Sequence, residues 1–421
     1  MKANFSNYRN LIMQNGIFVF LSSIAIGVPS VLVLYVADSV LTREHLSTFI
    51  KVWALTNTLI VGVTSPLITY APNLRMDFKN ETAQFDQNFF LMSAITSLII
   101  IIPIEFIAVC WLFGITDFMV LISLTLFTIF SISFNVKNAL LIAKGAYGKY
   151  LLGASVYGLA ASVALLLFKY IEFQSISILF YLFSFALGIA SIDRFLALLV
   201  DFPTLGFPAF VSRIVKMKTF TPFLITVFIT SCSTFILNGP LLFGSLIGSS
   251  NSQLVTFGTC LNIGLICYTI LNSFTAPIQT SLIYSLNQSE KGRFGQIYRK
   301  SFYNYLLFTL FLTIFLSATL NFFAQIYVPS VLHLSFITRL ILVAGLGFST
   351  LAGLPRLGLM ISKRYSQLFF IWCGGLSLFF LVVFLPVDPF TAMVLAPTVA
   401  SLFILVACTV ILGNQEVTVL E

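Results

Sequence analysis

The chain alternates long apolar runs with short polar connections along its whole length. An apolar run of about 18 residues or more predicts a membrane-spanning helix, because a helix satisfies its own backbone hydrogen bonds inside the lipid. The pattern predicts twelve such helices, at residues 11–37, 47–71, 89–113, 118–143, 150–168, 175–192, 220–247, 254–284, 301–323, 331–354, 367–385 and 390–412. The predicted fold class is therefore an all-α integral membrane protein.

Composition and charge fit this class. The 421 residues are 59% hydrophobic and only 9% charged, whereas soluble proteins carry about 25% charged residues. Of the 22 basic residues, 17 lie at the N-terminus or in connections on one predicted side of the membrane, and Arg356 is counted among them. The positive-inside rule then places both termini in the cytoplasm. The net charge of +8 thus reflects membrane topology, and a nucleic-acid partner is not expected.

Four prolines indicate that the two halves of the chain are related. Pro29 and Pro66 are 37 residues apart, as are Pro240 and Pro277, and an offset of 211 relates the two pairs. A proline inside a span frees backbone groups and bends the helix. One interpretation is four matched bends around a central cavity. The alternative is that prolines are simply more frequent in membrane helices than in soluble ones.

The same offset maps the first six spans onto the last six, which predicts two lobes. The N-terminal lobe covers residues 1–200, a cytoplasmic linker covers 201–219, and the C-terminal lobe covers 220–421. Because each half has an even number of spans, both enter the membrane from the same side. This predicts parallel repeats related by an axis along the membrane normal, with substrate bound between them.

Charged residues within the spans are the candidate functional residues. Thirteen of the fourteen acidic residues lie in connections, tails or span edges, and Glu105 is the exception. A charge in mid-bilayer is costly and usually faces a cavity or a partner, so Glu105 is predicted to have a cavity role. A structural ion pair or simple protonation is the alternative.

Three cations raise the same question. Lys137 lies within the fourth span between Asn135 and Asn138, and Arg339 and Lys51 lie near the opposite edge of their spans. Each side chain either faces a polar cavity or extends to the lipid headgroups. The set predicted to line a substrate cavity consists of Lys137, Arg339, Lys51, Glu105, Asn135, Asn57 and Asn272.

Sequence motifs for enzymatic chemistry are missing. The segment "AKGAYGKY" at 143–150 resembles a phosphate-binding loop only superficially, since Ala143 replaces its first glycine and Tyr150 its hydroxyl residue. No nucleophile elbow, paired carboxylates or metal-spaced histidines occur. The protein is predicted not to be an enzyme and to hold no metal or cofactor, with H⁺ or Na⁺ as a candidate coupling ion.

Several segments carry a resemblance to a known family. "SPLITYAPNLR" closes the second span and has a counterpart closing the eighth, while the basic turn "AKGAYGKY" after span four matches "PRLGLMISKRY" after span ten. The chain is also rich in phenylalanine, with 46 residues. With twelve spans in two halves, it resembles over its whole length the Wzx-type lipid-linked oligosaccharide flippases of the multidrug/oligosaccharidyl-lipid/polysaccharide exporter superfamily.

This resemblance implies a V-shaped exporter with two six-helix lobes in the cell inner membrane. Such proteins move an undecaprenyl-diphosphate-linked oligosaccharide to the outer leaflet by alternating access, for surface polysaccharides such as the O-antigen of lipopolysaccharide. Their cavities are cationic, which implies that Lys137, Arg339 and Lys51 contact the diphosphate. Implied partners are the lipid-linked oligosaccharide, membrane lipids, a polysaccharide polymerase and a chain-length regulator.

Three alternatives stay open. The drug-exporting branch of the superfamily usually has acidic residues in its lobes to couple cations, whereas the first and seventh predicted spans contain none. A major-facilitator transporter would also have twelve spans, but its usual loop between spans two and three is replaced by "PNLRMDFKNETAQFDQN". A membrane sugar-repeat polymerase usually has a long outer loop, and the predicted outer loops are all short.

Overall fold

A computed structural model describes residues 4–77, 83–143, 146–170, 175–201, 220–272, 275, 278–279, 282 and 291–420. These residues form twelve α-helices and no strand. The helices are α1 (Asn4–Val40), α2 (Arg43–Asp77), α3 (Ala83–Phe113), α4 (Phe118–Ala143), α5 (Tyr147–Phe168), α6 (Ile176–Asp201), α7 (Phe220–Phe243), α8 (Asn251–Asn272), α9 (Lys291–Tyr327), α10 (Phe336–Ile361), α11 (Tyr365–Val383) and α12 (Pro389–Leu420).

The helices confirm the predicted fold class. Ten of those in the described residues are long and apolar enough to cross a membrane. The other two are α6, whose described apolar part is Ile176–Ser191, and α8. Each predicted span coincides with one helix, and much of the predicted span after Asn272 lies outside the described residues. The chain is a multi-pass membrane protein.

Several basic residues that the sequence assigns to connections lie in helices instead, among them Arg75 in α2, Arg194 in α6 and Arg356 in α10. The sequence predicts that the tenth span ends at residue 354 and that Arg356 follows it in a connection, but α10 continues to Ile361. The helix accommodates Pro355 in its interior. Arg356 is therefore a residue of a membrane helix, because apolar residues on both sides of it continue the helical core.

Polar side chains define where several even-numbered helices start. Ser250 and Gln253 form a reciprocal capping box at α8, with Ser250 N donating to Gln253 Oε1 at 2.8 Å and Gln253 N donating to Ser250 Oγ at 3.3 Å. Ser335 accepts a hydrogen bond from Thr338 N at the start of α10. Asp117 and Asp388 accept backbone hydrogen bonds in the same way at the starts of α4 and α12. These caps satisfy backbone N–H groups that a helix cannot pair internally.

The pattern of helix packing repeats between the halves. In the first half, α2 packs against α3 and α4, α4 also packs against α3, α5 and α6, and α5 packs against α6. Each of these six pairs has its counterpart six helices later, from α8 against α9 to α11 against α12. The relation inferred from proline spacing thus extends to the packing partners of α2–α6 and α8–α12.

Contacts group the chain into two compact units. The N-terminal unit is Ala25–Thr234, and the C-terminal unit combines Met1–Ile24 with Phe235–Glu421. The divisions fall inside α1 and α7, at positions 210 residues apart (235 − 25), one residue from the offset between the prolines. The predicted linker at 201–219 lies almost entirely outside the described residues, so the predicted lobe boundaries stay a prediction.

Candidate functional site

The acidic residue predicted within a span is deeply buried and joins three helices. Glu105 on α3 is only 3% exposed. Thr56 Oγ1 on α2 donates to Glu105 Oε1 at 2.5 Å, and Thr128 Oγ1 on α4 donates to Glu105 Oε2 at 2.6 Å. Both hydroxyls are buried too. Among the described basic side chains, none forms an ion pair with this carboxyl group, so the alternative of a structural ion pair is not supported.

An aromatic cluster lies next to this polar group. Trp53 on α2 contacts Phe127 on α4 with ring centroids 5.4 Å apart, and Phe183 on α6 at 4.9 Å. Trp53 precedes Thr56 by about one helical turn, and Phe127 precedes Thr128 directly. The rings thus pack α2, α4 and α6 together close in sequence to the two threonines that donate to Glu105.

The C-terminal unit has a polar contact among the corresponding three helices. Tyr268 on α8 lies 2.7 Å from Thr313 Oγ1 on α9 through its hydroxyl, which also donates to the Val343 carbonyl of α10 at 3.3 Å. Gly347 makes room for this contact, because a β-carbon there would lie 3.1 Å from both the Tyr268 hydroxyl and Thr313 Oγ1. These groups carry hydroxyls and a carbonyl but no carboxyl group.

Lys137 lies at the wall of a cavity formed by α4, α5 and α6. Its ammonium group donates to the Ala190 carbonyl of α6 at 2.8 Å. The cavity has a volume of about 430 Å³. Its lining consists of Lys137, Leu141, Lys149, Leu152, Gly153, Val156, Ile189 and Ala190. Leu152 is 65% exposed, so the cavity combines two lysine residues with an accessible apolar rim.

The other two predicted cations lie elsewhere. Arg339, in the first turn of α10, donates from Nη1 to the Ala318 carbonyl of α9 at 3.0 Å and lies 5.7 Å from the Phe336 ring. Lys51, on α2, is half-buried, with its ammonium nitrogen 5.9 Å from the Phe113 ring centroid. Arg339 belongs to the C-terminal unit, while Lys51 belongs to the N-terminal one. Their role in one shared cavity stays a prediction.

The predicted asparagines differ in their surroundings. Asn135 on α4 donates to Thr64 Oγ1 on α2 at 3.3 Å, which ties these two helices together. Asn57 is half-buried on α2, whereas Asn272 is exposed as the last residue of α8. A helix–helix hydrogen bond is the ordinary use of such residues in membranes, and Asn135 fits that use.

The prolines predicted to bend helices lie where the offset placed them. Pro29, Pro66 and Pro240 are buried residues inside α1, α2 and α7, and Pro277 lies outside the described residues. Because Pro29 has no N–H, it cannot donate to the Ala25 carbonyl one turn earlier. Gly158 of α5 packs against this carbonyl so closely that a β-carbon would overlap it. The Ala25 carbonyl that Pro29 cannot bond is thus the carbonyl against which Gly158 packs. That the prolines bend their helices stays a prediction.

Sequence reasoning missed Thr56, Thr128 and Lys149 as members of these sites. Threonine is common in membrane helices, so the sequence gives no reason to single out Thr56 or Thr128. The signal available in the sequence is position along the span. Thr128 is ten residues from the start of α4, about 15 Å along its axis, and Glu105 is eight residues from the end of α3, about 12 Å along its axis, so the two lie at similar depths.

Comparisons with known proteins give matches at the level of structure. No protein-family model matches the chain, and no curated protein matches it. The crystal structure of a MATE protein in the bent conformation aligns with a TM-score of 0.65 and 12% identity, over 98% of this chain and 96% of that one.

Two further structures have different conformations. An outward-facing multidrug resistance MATE family transporter of the MOP superfamily aligns with a TM-score of 0.65 and 13% identity, over 96% of both chains. An inward-facing transporter of the same description aligns with a TM-score of 0.61 and 11% identity, over 95% of this chain and 98% of that one. At such identities the likeness shows the fold, and this chain has the fold of these membrane transporters.

Proposed function

We propose that this protein is a flippase that moves an undecaprenyl-diphosphate-linked oligosaccharide from the cytoplasmic to the outer leaflet of the inner membrane, for surface polysaccharide biosynthesis. The transporter fold supports an exporter in general terms. Alternating access between two repeats would carry the headgroup across.

The observation that carries the proposal is the cavity of Lys137. Lys137 lies within the apolar helix segment Phe118–Ile142, six residues before the end of α4, yet its ammonium group is held at a cavity wall. Lys149 adds a second cation, and Leu152 and Val156 add an apolar rim. Ammonium groups bind phosphate through charge-assisted hydrogen bonds, and an apolar rim suits a lipid chain. The combination fits a ligand with an anionic head and a long apolar tail.

A small-molecule exporter is the second candidate. Its support is that the similar solved structures include multidrug resistance transporters and that a buried acid, Glu105, lies within a membrane helix. An exporter of cationic compounds would need an acidic rather than a basic binding cavity. The two lysines of the α4–α6 cavity therefore favour the anionic lipid.

Deletion of the gene in a native host without a redundant flippase tests the proposal. The expected result is loss of surface polysaccharide, with the lipid-linked unit accumulating in the inner leaflet and drug sensitivity unchanged. Intact surface polysaccharide in the deletion strain would refute the flippase proposal. Increased drug sensitivity with normal glycans would favour the exporter.

Complementation with point variants tests the cavity. Lys137→Gln removes one charge from the cavity and is expected to lower polysaccharide assembly about tenfold or more, the usual effect of losing one charge-assisted hydrogen bond. Lys300→Gln is the matched control, since Lys300 is an exposed lysine on α9. Equal complementation by both variants would show that the cavity charge is irrelevant to transport.

A further inference from the structure

The cavity between α4, α5 and α6 has a glycine on its wall that no packing contact explains. Gly153 is a buried residue of α5, yet a β-carbon there would meet no atom of a neighbouring group within 4 Å. Gly158 on the same helix differs, because a β-carbon there would overlap the Ala25 carbonyl. Glycine destabilises a helix interior relative to alanine. Gly153 therefore leaves open space beside the helix backbone, as the close approach of a ligand requires.

Positive charge is directed at this space from two helices. Lys137 of α4 and Lys149 in the first turn of α5 line the cavity, and the described lining contains no acidic residue. The N-terminus of α5 adds partial positive charge, because its N-cap residue Ala146 makes no side-chain cap hydrogen bond. Ammonium groups and a helix N-terminus both bind phosphate. The cavity thus has the chemistry of a phosphate site.

The cavity lies near one end of the membrane helices. Lys137 is six residues before the end of α4, about 9 Å along the axis, and the lining residues of α5 extend from Lys149 to Val156, about 10.5 Å. The charge pattern predicts that these helix ends are on the cytoplasmic side. The headgroup of a lipid in the cytoplasmic leaflet would therefore lie at the level of the cavity.

Apolar side chains continue from the cavity along one face of α5. Leu152 and Val156 line the cavity and are exposed, as is Ile189 on α6. Leu159 and Val163 are exposed too, and they lie seven and eleven residues after Leu152, on the same helix face. A hydrocarbon chain can lie along this face while its headgroup occupies the cavity, so the chain need not leave the lipid.

The number of cations favours a diphosphate over the phosphodiester of an ordinary phospholipid. A diphosphate that links two alcohols carries a negative charge on each phosphate, whereas phosphatidylglycerol carries a single charge. Lys137 and Lys149 together match the diphosphate, because each can bind one phosphate through a charge-assisted hydrogen bond.

We propose that the α4–α6 cavity is a lateral docking site, at which the diphosphate of a lipid-linked substrate binds before transport while its hydrocarbon chain stays in the bilayer along α5. Lys137, Lys149 and the N-terminus of α5 bind the diphosphate, and Gly153 provides the space for it. The choice of a substrate lipid as the ligand rests on the proposed function. The binding of an anionic lipid in this cavity is tested without it.

Native mass spectrometry of the purified full-length protein, with undecaprenyl diphosphate as the probe, tests the site. Gly153→Leu should weaken binding at least about tenfold, since the leucine side chain fills the space that the headgroup needs. The matched control is Gly413→Leu, because Gly413 is an exposed glycine of α12 where a β-carbon also meets nothing within 4 Å. This control should bind the probe as the wild type does. Lys149→Gln should weaken binding about tenfold.

Thermal unfolding without the probe separates a ligand site from a structural glycine. Gly153→Ala should raise the melting temperature, because alanine favours the helix and its β-carbon meets no neighbour. A lower melting temperature for Gly153→Ala would show that the glycine is needed for packing, and the argument for an open site would fail.

A probe with a photoreactive group in its hydrocarbon chain tests the lateral position. Crosslinks in lipid vesicles should map to the face of α5 that carries Leu152, Val156 and Leu159. Crosslinks confined to other helices would refute the lateral site. Inorganic diphosphate is the second control, and binding as tight as that of the lipid probe would show that the chain does not take part.

The outcomes also identify the ligand and separate the two proposals. Phosphatidylglycerol that binds as tightly as undecaprenyl diphosphate would overturn the choice of a substrate lipid. If Gly153→Leu binds the probe like the wild type, the docking site is refuted, whatever the deletion strain shows. If binding depends on Gly153 but the deletion strain makes normal polysaccharide, the lipid site stands and the flippase proposal fails.

Discussion

The two halves of the protein use different chemistry to join corresponding sets of three helices. In the N-terminal unit, Glu105 joins α2, α3 and α4 through Thr56 and Thr128. In the C-terminal unit, Tyr268 and Thr313 join α8 to α9 with groups that carry no charge. The packing pattern of the helices is otherwise repeated. The C-terminal unit thus has the same packing pattern with a neutral contact among the corresponding helices, so the packing pattern does not by itself call for a carboxyl group.

Equivalent positions in the two halves show the same difference. The offset of 211 residues pairs Glu105 with Leu316 of α9, and Leu316 is 1% exposed. One half thus buries an acid where the other buries a hydrocarbon side chain.

The largest expected effect comes from placing an acid in the half that lacks one. Leu316→Glu should destabilise the protein by about 2.5–3.5 kcal/mol, the insertion cost of a charge at the centre of a membrane helix. Thermal unfolding in detergent or lipid measures the loss. Leu316→Gln is the control, because it adds a polar group of the same shape without a charge. A stability equal to wild type for Leu316→Glu would show that the C-terminal unit tolerates a carboxyl group as well as the N-terminal unit does.

Removal of the acid from the other half should affect function more than stability. Glu105→Gln keeps the shape and can still accept hydrogen bonds, but it cannot bind or release a proton. We expect at least a roughly tenfold loss of polysaccharide assembly in complementation, equivalent to about 1.4 kcal/mol, with near-normal protein levels. Full complementation by this variant would make Glu105 a structural residue.

The sequence predicted the helices well because membrane insertion constrains composition directly. An apolar run of sufficient length has few alternatives in lipid, so all twelve spans coincide with helices. The predicted tenth span ends at residue 354 and leaves Arg356 in a connection, whereas α10 continues to Ile361, because a helix can carry a basic residue near its end. Composition alone does not distinguish these two cases.

The sites were predicted only in part. Glu105 and Lys137 were identified because charges in spans are rare and costly. Their partners Thr56 and Ala190 could not be identified, since each contact depends on how helices rotate and cross. Lys137 contacts the backbone carbonyl of Ala190. Every residue has such a carbonyl, so the identity of the residue at position 190 does not reveal the contact.

The threonine partners should contribute moderately to stability. Thr56→Val and Thr128→Val each remove one hydrogen bond to Glu105, and each should cost between about 0.6 kcal/mol, the average measured for hydrogen bonds between membrane helices, and about 1.7 kcal/mol, the maximum. A double-mutant cycle by thermal unfolding measures their coupling. Because both hydroxyls bind one carboxyl group, the two costs should not be additive. Strict additivity would mean that the two threonines act independently of Glu105.

The smallest effect is expected in the C-terminal contact. Tyr268→Phe removes the hydroxyl that meets Thr313 and the Val343 carbonyl. The Thr313 hydroxyl can turn to the carbonyl of Thr309, four residues earlier, as Ser317 does toward the Thr313 carbonyl at 2.6 Å. The net cost should therefore be about 0.6 kcal/mol, with transport unchanged. Loss of transport by Tyr268→Phe at normal protein levels would mean that the neutral contact is functional too. The conclusion that only the half with the carboxyl group has a functional contact at these helices would then be wrong.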